Sequence, residues 1–384
     1  MKQHLITLAA LIGLSSSLLA QEAIFERRDN SSPRINGDGT VTLNLKAPEA
    51  QKVTVVGDCI EGMSKDMKKE GDYWTYTTPV LQPELYNYRF YVDGVEALDP
   101  SSIERSRDVR SFMSTFIISR QEADQGWLYQ NHDVPHGNMA QVWYDSPGLG
   151  MQRCMTIYTP AAYDGKQKFP VLYLLHGAGG DEEAWPTLGR TRQILDNLIA
   201  LGKAQPMIVV MPNGNASDDA GPLNSGIPKK GPAKASYQDT FGDIISYVNS
   251  HYRVKKGAQN TAICGLSMGG FHTFAISLLR PGQFGYIGLF SAAVRMDRRS
   301  QKPIDQQLEE NAEASAQLKA VFDAKPSYYW IAIGKDDFLY EQNAGLRRFL
   351  DKKGYPYEYY ESPGGHIWRN WRQYLSMFAQ KLFK

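Results

Sequence analysis

The chain has 384 residues, 42% of them hydrophobic and 22% charged, a globular composition that excludes a disordered or fibrous polymer. One core rarely grows past about 250–300 residues, so two domains are expected. With 42 basic residues against 41 acidic ones there is no electrostatic footprint for nucleic acid.

The N-terminus reads as a secretory signal over residues 1–20. Lys2 gives a positive start, Leu5 to Leu14 form a short apolar run, and Ser15-Ser16-Ser17 lead to Leu18-Leu19-Ala20, where cleavage is expected. That predicts a secreted or periplasmic protein. No later segment is long and apolar enough to span a membrane. Three cysteines are too few for a disulfide framework, and Cys264 lies in an apolar run as a core thiol.

From residue 21 to about 36 the chain is polar and loop-like. Thr40 to Ile118 then alternates apolar and polar residues in short runs, such as Val41 to Leu45, Tyr73 to Tyr76 and Tyr86 to Val92. Turn residues such as Asn36-Gly37-Asp38-Gly39 and Asp93-Gly94 separate them, which predicts an immunoglobulin-like β-sandwich over residues 21–120. Residues 121–136 read as a polar linker without a clear period.

The pattern changes at Gly137. An antiparallel pair (Ala140 to Tyr144, Met155 to Tyr158) opens residues 137–384. Continuous apolar runs of the buried parallel type follow at Val171–Leu175, Met207–Met211, Thr261–Cys264, Ile287–Phe290 and Trp330–Ile333, with a last strand at Tyr357–Tyr360. Helices are predicted between them near Thr191–Leu201, Phe241–Tyr252, Gly270–Leu279, Ile304–Phe322, Tyr340–Lys353 and Arg369–Leu382. Eight strands with alternating helices make an open, mostly parallel α/β sheet. The Gly-, Pro-, Asn- and Lys-rich stretch from Pro212 to Ala235 follows a strand end and reads as a loop over the active face.

Gly265-Leu266-Ser267-Met268-Gly269-Gly270 sits between a buried strand and a helix. This is the strand–turn–helix that lifts a nucleophilic serine above an α/β-hydrolase sheet, with the Met268 N–H as one oxyanion donor. Side chains at positions 265 and 269 would crowd so tight a turn. A serine needs a base and an orienting acid, in the order Ser, acid, His. After Ser267 only His272 and His366 remain. His272 lies on the helix that follows the nucleophile and cannot reach back, whereas His366 follows the last strand in a Gly-rich loop. The acid is Asp336 or Asp337, after the strand ending at Ile333, and local pattern does not choose between them. His176-Gly177-Ala178-Gly179-Gly180 follows another buried strand and offers the Ala178 N–H as second donor, with His176 holding the loop. It lacks the G-x-G-x-x-G fingerprint and the Lys-Ser/Thr ending of nucleotide loops. His132 and His136 flank a non-helical linker without the glutamate of a zincin motif. No metal and no cofactor are expected.

Val171 to Gly180 with Trp185, the Gly265–Gly270 turn, Asp337-Phe338-Leu339-Tyr340, and Gly364-Gly365-His366-Ile367-Trp368 with Trp371 together resemble carbohydrate esterase family 1. That group includes feruloyl esterases, acetyl xylan esterases and the esterase-D and antigen-85 relatives. Phe241 to Val254 is similar to the helix that precedes its nucleophile strand. The resemblance implies an α/β-hydrolase fold and ester cleavage through an acyl-enzyme. The family's Gly-x-x-Asp pattern selects Asp337 as the acid, and its His-Gly pattern selects Ala178 as the donor. Trp185, Phe338 and Trp368 are the candidates to line an aromatic acyl pocket. The stretch Tyr86 to Gly94 followed by Asp99-Pro100 resembles the family-48 carbohydrate-binding module, with Trp74 expected in its core. The implied function is a secreted feruloyl esterase that releases ferulate or hydroxycinnamate from plant xylan. Its partners would be plant cell-wall polysaccharide or oligosaccharide esters. The alternatives are an acetyl xylan esterase, a siderophore trilactone esterase and a non-catalytic carbohydrate-binding protein.

Overall fold

A computed structural model describes residues 31–221, 235–297, 300 and 302–384. The secretory-signal reading of residues 1–20 and most of the loop predicted over Pro212 to Ala235 lie outside the described residues. Contacts divide the chain into two compact units, one of residues up to Leu81 with Tyr88–Ile103, the other of Gln82–Asn87 with Glu104–Lys384.

The N-terminal region is all β. Its strands are β1 (Arg34–Ile35), β2 (Val41–Lys46), β3 (Val53–Gly57), β4 (Ser64–Asp66), β5 (Lys68–Glu70), β6 (Tyr73–Thr77), β7 (Glu84–Val92), β8 (Val95–Ala97), β9 (Arg105–Asp108) and β10 (Ser111–Ile118). They form one sheet in the order β1-β2-β6-β5 and a second in the order β4-β3-β7-β10-β9, with β8 on β7. Alternation sets which residues go inward: Val41, Leu43, Leu45, Val53 and Val55 are buried. Trp74 is also buried and donates its indole N–H to the Ala47 carbonyl at 3.0 Å, a core role.

The second unit carries an eight-stranded sheet of β11 (Asn138–Ser146), β12 (Met151–Thr159), β13 (Val171–Leu175), β14 (Ile208–Pro212), β15 (Thr261–Leu266), β16 (Tyr286–Phe290), β17 (Tyr328–Gly334) and β18 (Glu358–Ser362). Their order is β11-β12-β14-β13-β15-β16-β17-β18. The first two pairings are antiparallel and the rest parallel. Successive side chains point to opposite faces, so one β13 strand feeds both cores. Tyr173 and Leu175 join Ile263, Phe241 and Phe274 on one face; Leu172 and Leu174 join Phe290, Trp330, Tyr374 and Phe378 on the other. The register sets Leu175 beside Gly265, Leu266 beside Phe290, Phe290 beside Ala332 and Gly334 beside Ser362, so the C-terminal ends of five neighbouring strands share one edge.

Two local readings change. The helix expected over Ile304–Phe322 is two helices, Ile304–Glu310 and Ala312–Asp323. Asn311 between them is extended, and its side chain accepts the Ala314 N–H at 3.0 Å, so an N-cap restarts the helix. Residues 121–136 are less irregular than their polarity implies. Asp124 caps a one-turn helix, Gln125–Leu128, by accepting the Trp127 N–H at 2.7 Å. Asn197 then fastens the segment by donating to the carbonyls of Trp127, Leu128 and Gln130.

Candidate active site

Ser267 stands between β15 and the helix Met268–Leu279 with φ 54° and ψ −114°. A non-glycine residue pays strain in that region, and it is held there because the surroundings leave no alternative. Its N–H donates to the Phe290 carbonyl at 2.9 Å, while its own carbonyl accepts from Phe271 and Ala293. The glycines permit the close approach. A β-carbon on Gly269 would lie 2.4 Å from the Leu175 carbonyl oxygen, and one on Gly265 would lie 2.5 Å from that of Gly269.

His366 follows β18, and its Nδ1 meets both oxygens of Asp337, at 3.0 and 2.9 Å. Asp337, beyond β17, is 4% exposed. Nδ1 therefore carries the hydrogen, which leaves Nε2 as the basic atom. Burial by itself would raise the Asp337 carboxyl. The hydrogen bonds from His366, the Leu339 N–H and Ser291 outweigh it and hold the group below its ordinary value. Ser291, after β16, also accepts the Trp371 indole N–H at 3.2 Å, and the Trp371 ring stands edge-on to the His366 ring at 4.8 Å. The acid and the imidazole are thus braced by Ser291 and Trp371, neither of which had a site role from sequence. Asp336 is exposed. Asp337 also caps the following turn by accepting the Leu339 N–H at 2.9 Å. Among the described residues, the His366 ring hydrogen-bonds to Asp337 and not to Ser267 Oγ. Such serine–histidine contacts are often long before substrate binds.

The Ala178 N–H and the Met268 N–H have no acceptor among the described residues. The latter belongs to the first turn of its helix, where amide hydrogens lack intrahelical partners. His176 holds the Ala178 loop. Its Nε2 accepts the Gly214 N–H at 2.7 Å, so its Nδ1 is the donor to the Gly177 carbonyl at 2.8 Å. Burial lowers its pKa and keeps it neutral.

The aromatic candidates separate. Trp185 is 1% exposed, donates to the Leu175 carbonyl at 3.0 Å and stands edge-on to Phe290 and Trp368. It is core behind the loop and does not line a pocket, because its indole is spent and sealed. Trp368 is half-buried between Trp185 and Trp371, each ring 5.3 Å away. Phe338 is 75% exposed, with its ring 4.5 Å from that of His366. His272 is buried against Tyr237. His132 stacks on Trp127 and His136 contacts Asp196. Among the described residues no group of three His, Cys, Asp or Glu side chains is placed to hold a metal ion. No helix among them is long and apolar enough to cross a membrane.

Sheet order, nucleophile turn and the loops at the strand ends define an α/β-hydrolase. A family model described as "Putative esterase" matches residues 146–382, and the chain belongs to that family. An endo-1,4-β-xylanase/feruloyl esterase of Xylanibacter ruminicola is 31% identical over 360 residues, covering 92% of this chain and 46% of that protein. The chain therefore spans about half the length of that relative. An acetyl esterase of Caldicellulosiruptor saccharolyticus is 27% identical over 240 residues, 55% of this chain and 82% of that one. Two solved structures share the fold. A ferulic acid esterase from Anaeromyces mucronatus has a TM-score of 0.54 and 24% identity over 67% of this chain and 94% of its own. The enterobactin esterase of Shigella flexneri has a TM-score of 0.66 and 17% identity over 91% and 94%.

Proposed function

We propose that the protein is a secreted serine feruloyl esterase that releases hydroxycinnamates from plant xylan. Ser267 is the nucleophile, His366 the base, Asp337 its orienting acid, and the N–H groups of Ala178 and Met268 the oxyanion donors. As Ser267 Oγ attacks the ester carbon, its proton passes to His366 Nε2. The carbonyl oxygen takes the negative charge between the two donors. Asp337 stabilises the imidazolium, which then protonates the sugar oxygen as its bond to the ester carbon breaks, leaving the acyl group on Ser267. Water repeats the sequence on the acyl-enzyme and frees the acid. The carrying observation is the 31% identity to the xylanase/feruloyl esterase across 92% of the chain, which takes in both units. Phe338, exposed beside His366, supplies an aromatic surface for a hydroxycinnamoyl ring. The N-terminal sheets are proposed as a carbohydrate-binding-module-like domain.

Ferulate release from methyl ferulate and feruloylated arabinoxylan, with Ser267→Ala as the blank, tests this reading. Hydrolysis of both by the wild type and by none of the blank is expected. Rapid deacetylation of acetylated xylan without ferulate release would instead establish the acetyl esterase reading, which the 27% identical acetyl esterase favours.

A further inference from the structure

The turn between β9 and β10 reaches the loop that carries Ala178. A β-carbon on Gly179 would come within 3.0 Å of Val109 Cγ2, so the valine methyls lie over the backbone immediately after the donor. Val109 holds φ 54°, a left-handed conformation that a β-branched residue adopts only under constraint. The constraint is visible in Arg107. Its Nη1 donates to the Val109 carbonyl at 3.2 Å. Its Nη2 donates to both oxygens of Asp181, at 2.9 and 2.8 Å, and to Glu183 at 2.9 Å. Asp181 is 2% exposed, and its Oδ1 also accepts the Glu183 N–H at 3.0 Å. One guanidinium therefore ties the strained turn to the residues that end the glycine loop. A planar cation with five donors suits this task and an ammonium does not.

We propose that Arg107 is a positioning residue for ester hydrolysis: through Asp181, Glu183 and Val109 it holds the His176–Gly180 loop so that the Ala178 N–H points at the developing oxyanion. This rests on the reading of Ala178 as a donor. Gly177, Gly179 and Gly180 give the loop freedom to turn that N–H away, and a donor counts in the transition state only when it is already aimed. The two acids follow Gly180 directly and anchor that end of the loop. The arginine takes a clamp's position, with the hairpin as its arm.

The test uses the full chain and counts working sites by titration with an organophosphonate that labels Ser267. Arg107→Gln is expected to lower kcat per titrated site about 10- to 100-fold, part of what loss of a whole donor costs. The fall should be alike for p-nitrophenyl acetate and methyl ferulate, with KM within about twofold, since ground-state binding is untouched. Arg107→Lys should recover only a fraction. Val109→Gly removes the methyls over Gly179 and relieves the left-handed strain, so it should lower kcat per site without lowering Tm, and it decides the matter if Arg107→Gln does not fold. Unchanged kcat per site in the folded variants would reduce Arg107 to a structural ion pair and overturn the proposal. A wild type inert on both esters would remove the parent reading and the clamp together, whereas an active wild type with unaffected variants removes the clamp alone.

Discussion

At Asp337 a single buried carboxylate receives the His366 ring, the Leu339 N–H and Ser291. Asp337→Asn should lower kcat by about 10⁴-fold, because the amide cannot fix the imidazole in the required tautomer. Asp336→Asn should change it little, and steady-state kinetics on one soluble ester checks both; the opposite ranking would transfer the acid role. The carboxyl also links stability to pH. Its folded value lies below the ordinary 3.8, so the folded state favours the ionised form. That stabilisation is complete above the unfolded value and disappears as pH falls through the lower folded one. The Tm gap between wild type and Asp337→Asn should therefore close below about pH 3.8. Ser267 and His366 stand out as candidates in the sequence because each sits in a glycine-marked loop after an apolar run. Asp336 and Asp337 share one turn, and only family pattern or burial separates them. Trp185 stays an open candidate in the sequence, because a tryptophan after such a loop gives the same pattern whether it faces substrate or core, and only its burial places it in the core. Ser291 gave no signal, since a serine ending a buried strand is unremarkable until its partners are known.

The nucleophile turn works as an element because strand, turn and helix approach more closely than any β-carbon permits. Gly269→Ala must push a methyl into the Leu175 carbonyl. It should cost about 1–3 kcal/mol, read as a lower urea midpoint, and it should displace the Met268 N–H proposed as an oxyanion donor as well. Sequence patterning located all eight strands of the sheet, most of them as continuous apolar runs of the kind that buried parallel strands require. It missed the break at Asn311, because the apolar spacing of Leu308, Leu318 and Val321 continues across it and only the side-chain cap marks the restart. The clamp at Arg107 was equally hidden: an Arg-Ser-Arg-Asp run on a short strand looks like solvated surface.

Across the second unit the decisive pair is Glu84 with Arg372, 288 positions apart. Arg372 is fully buried. Its Nε and Nη2 donate to Glu84 Oε1 at 3.2 and 2.9 Å, Nη2 also donates to the Leu85 carbonyl at 3.1 Å, and Nη1 donates to the Leu188 carbonyl at 3.0 Å. Arg372→Met alone should destabilise by about 3–5 kcal/mol, because Glu84 would stay buried without its hydrogen-bonded partner, and Glu84→Leu added to it should restore most of the loss. Urea unfolding of the single and double variants measures both. No motif announces this pair. The change from alternating to continuous apolar runs at Gly137 marks where the α/β pattern starts, whereas the compact unit also takes in residues 82–87 and 104–136.

That composition of the unit bears on how such enzymes can be recombined. A chimera joined at the pattern change near residue 137 would inherit the arginine without its carboxylate, Asn197 without the three carbonyls it binds, and the glycine loop without its hairpin. A viable graft has to carry the short N-terminal stretches along, so natural shuffling should transmit them with the hydrolase as one heritable block.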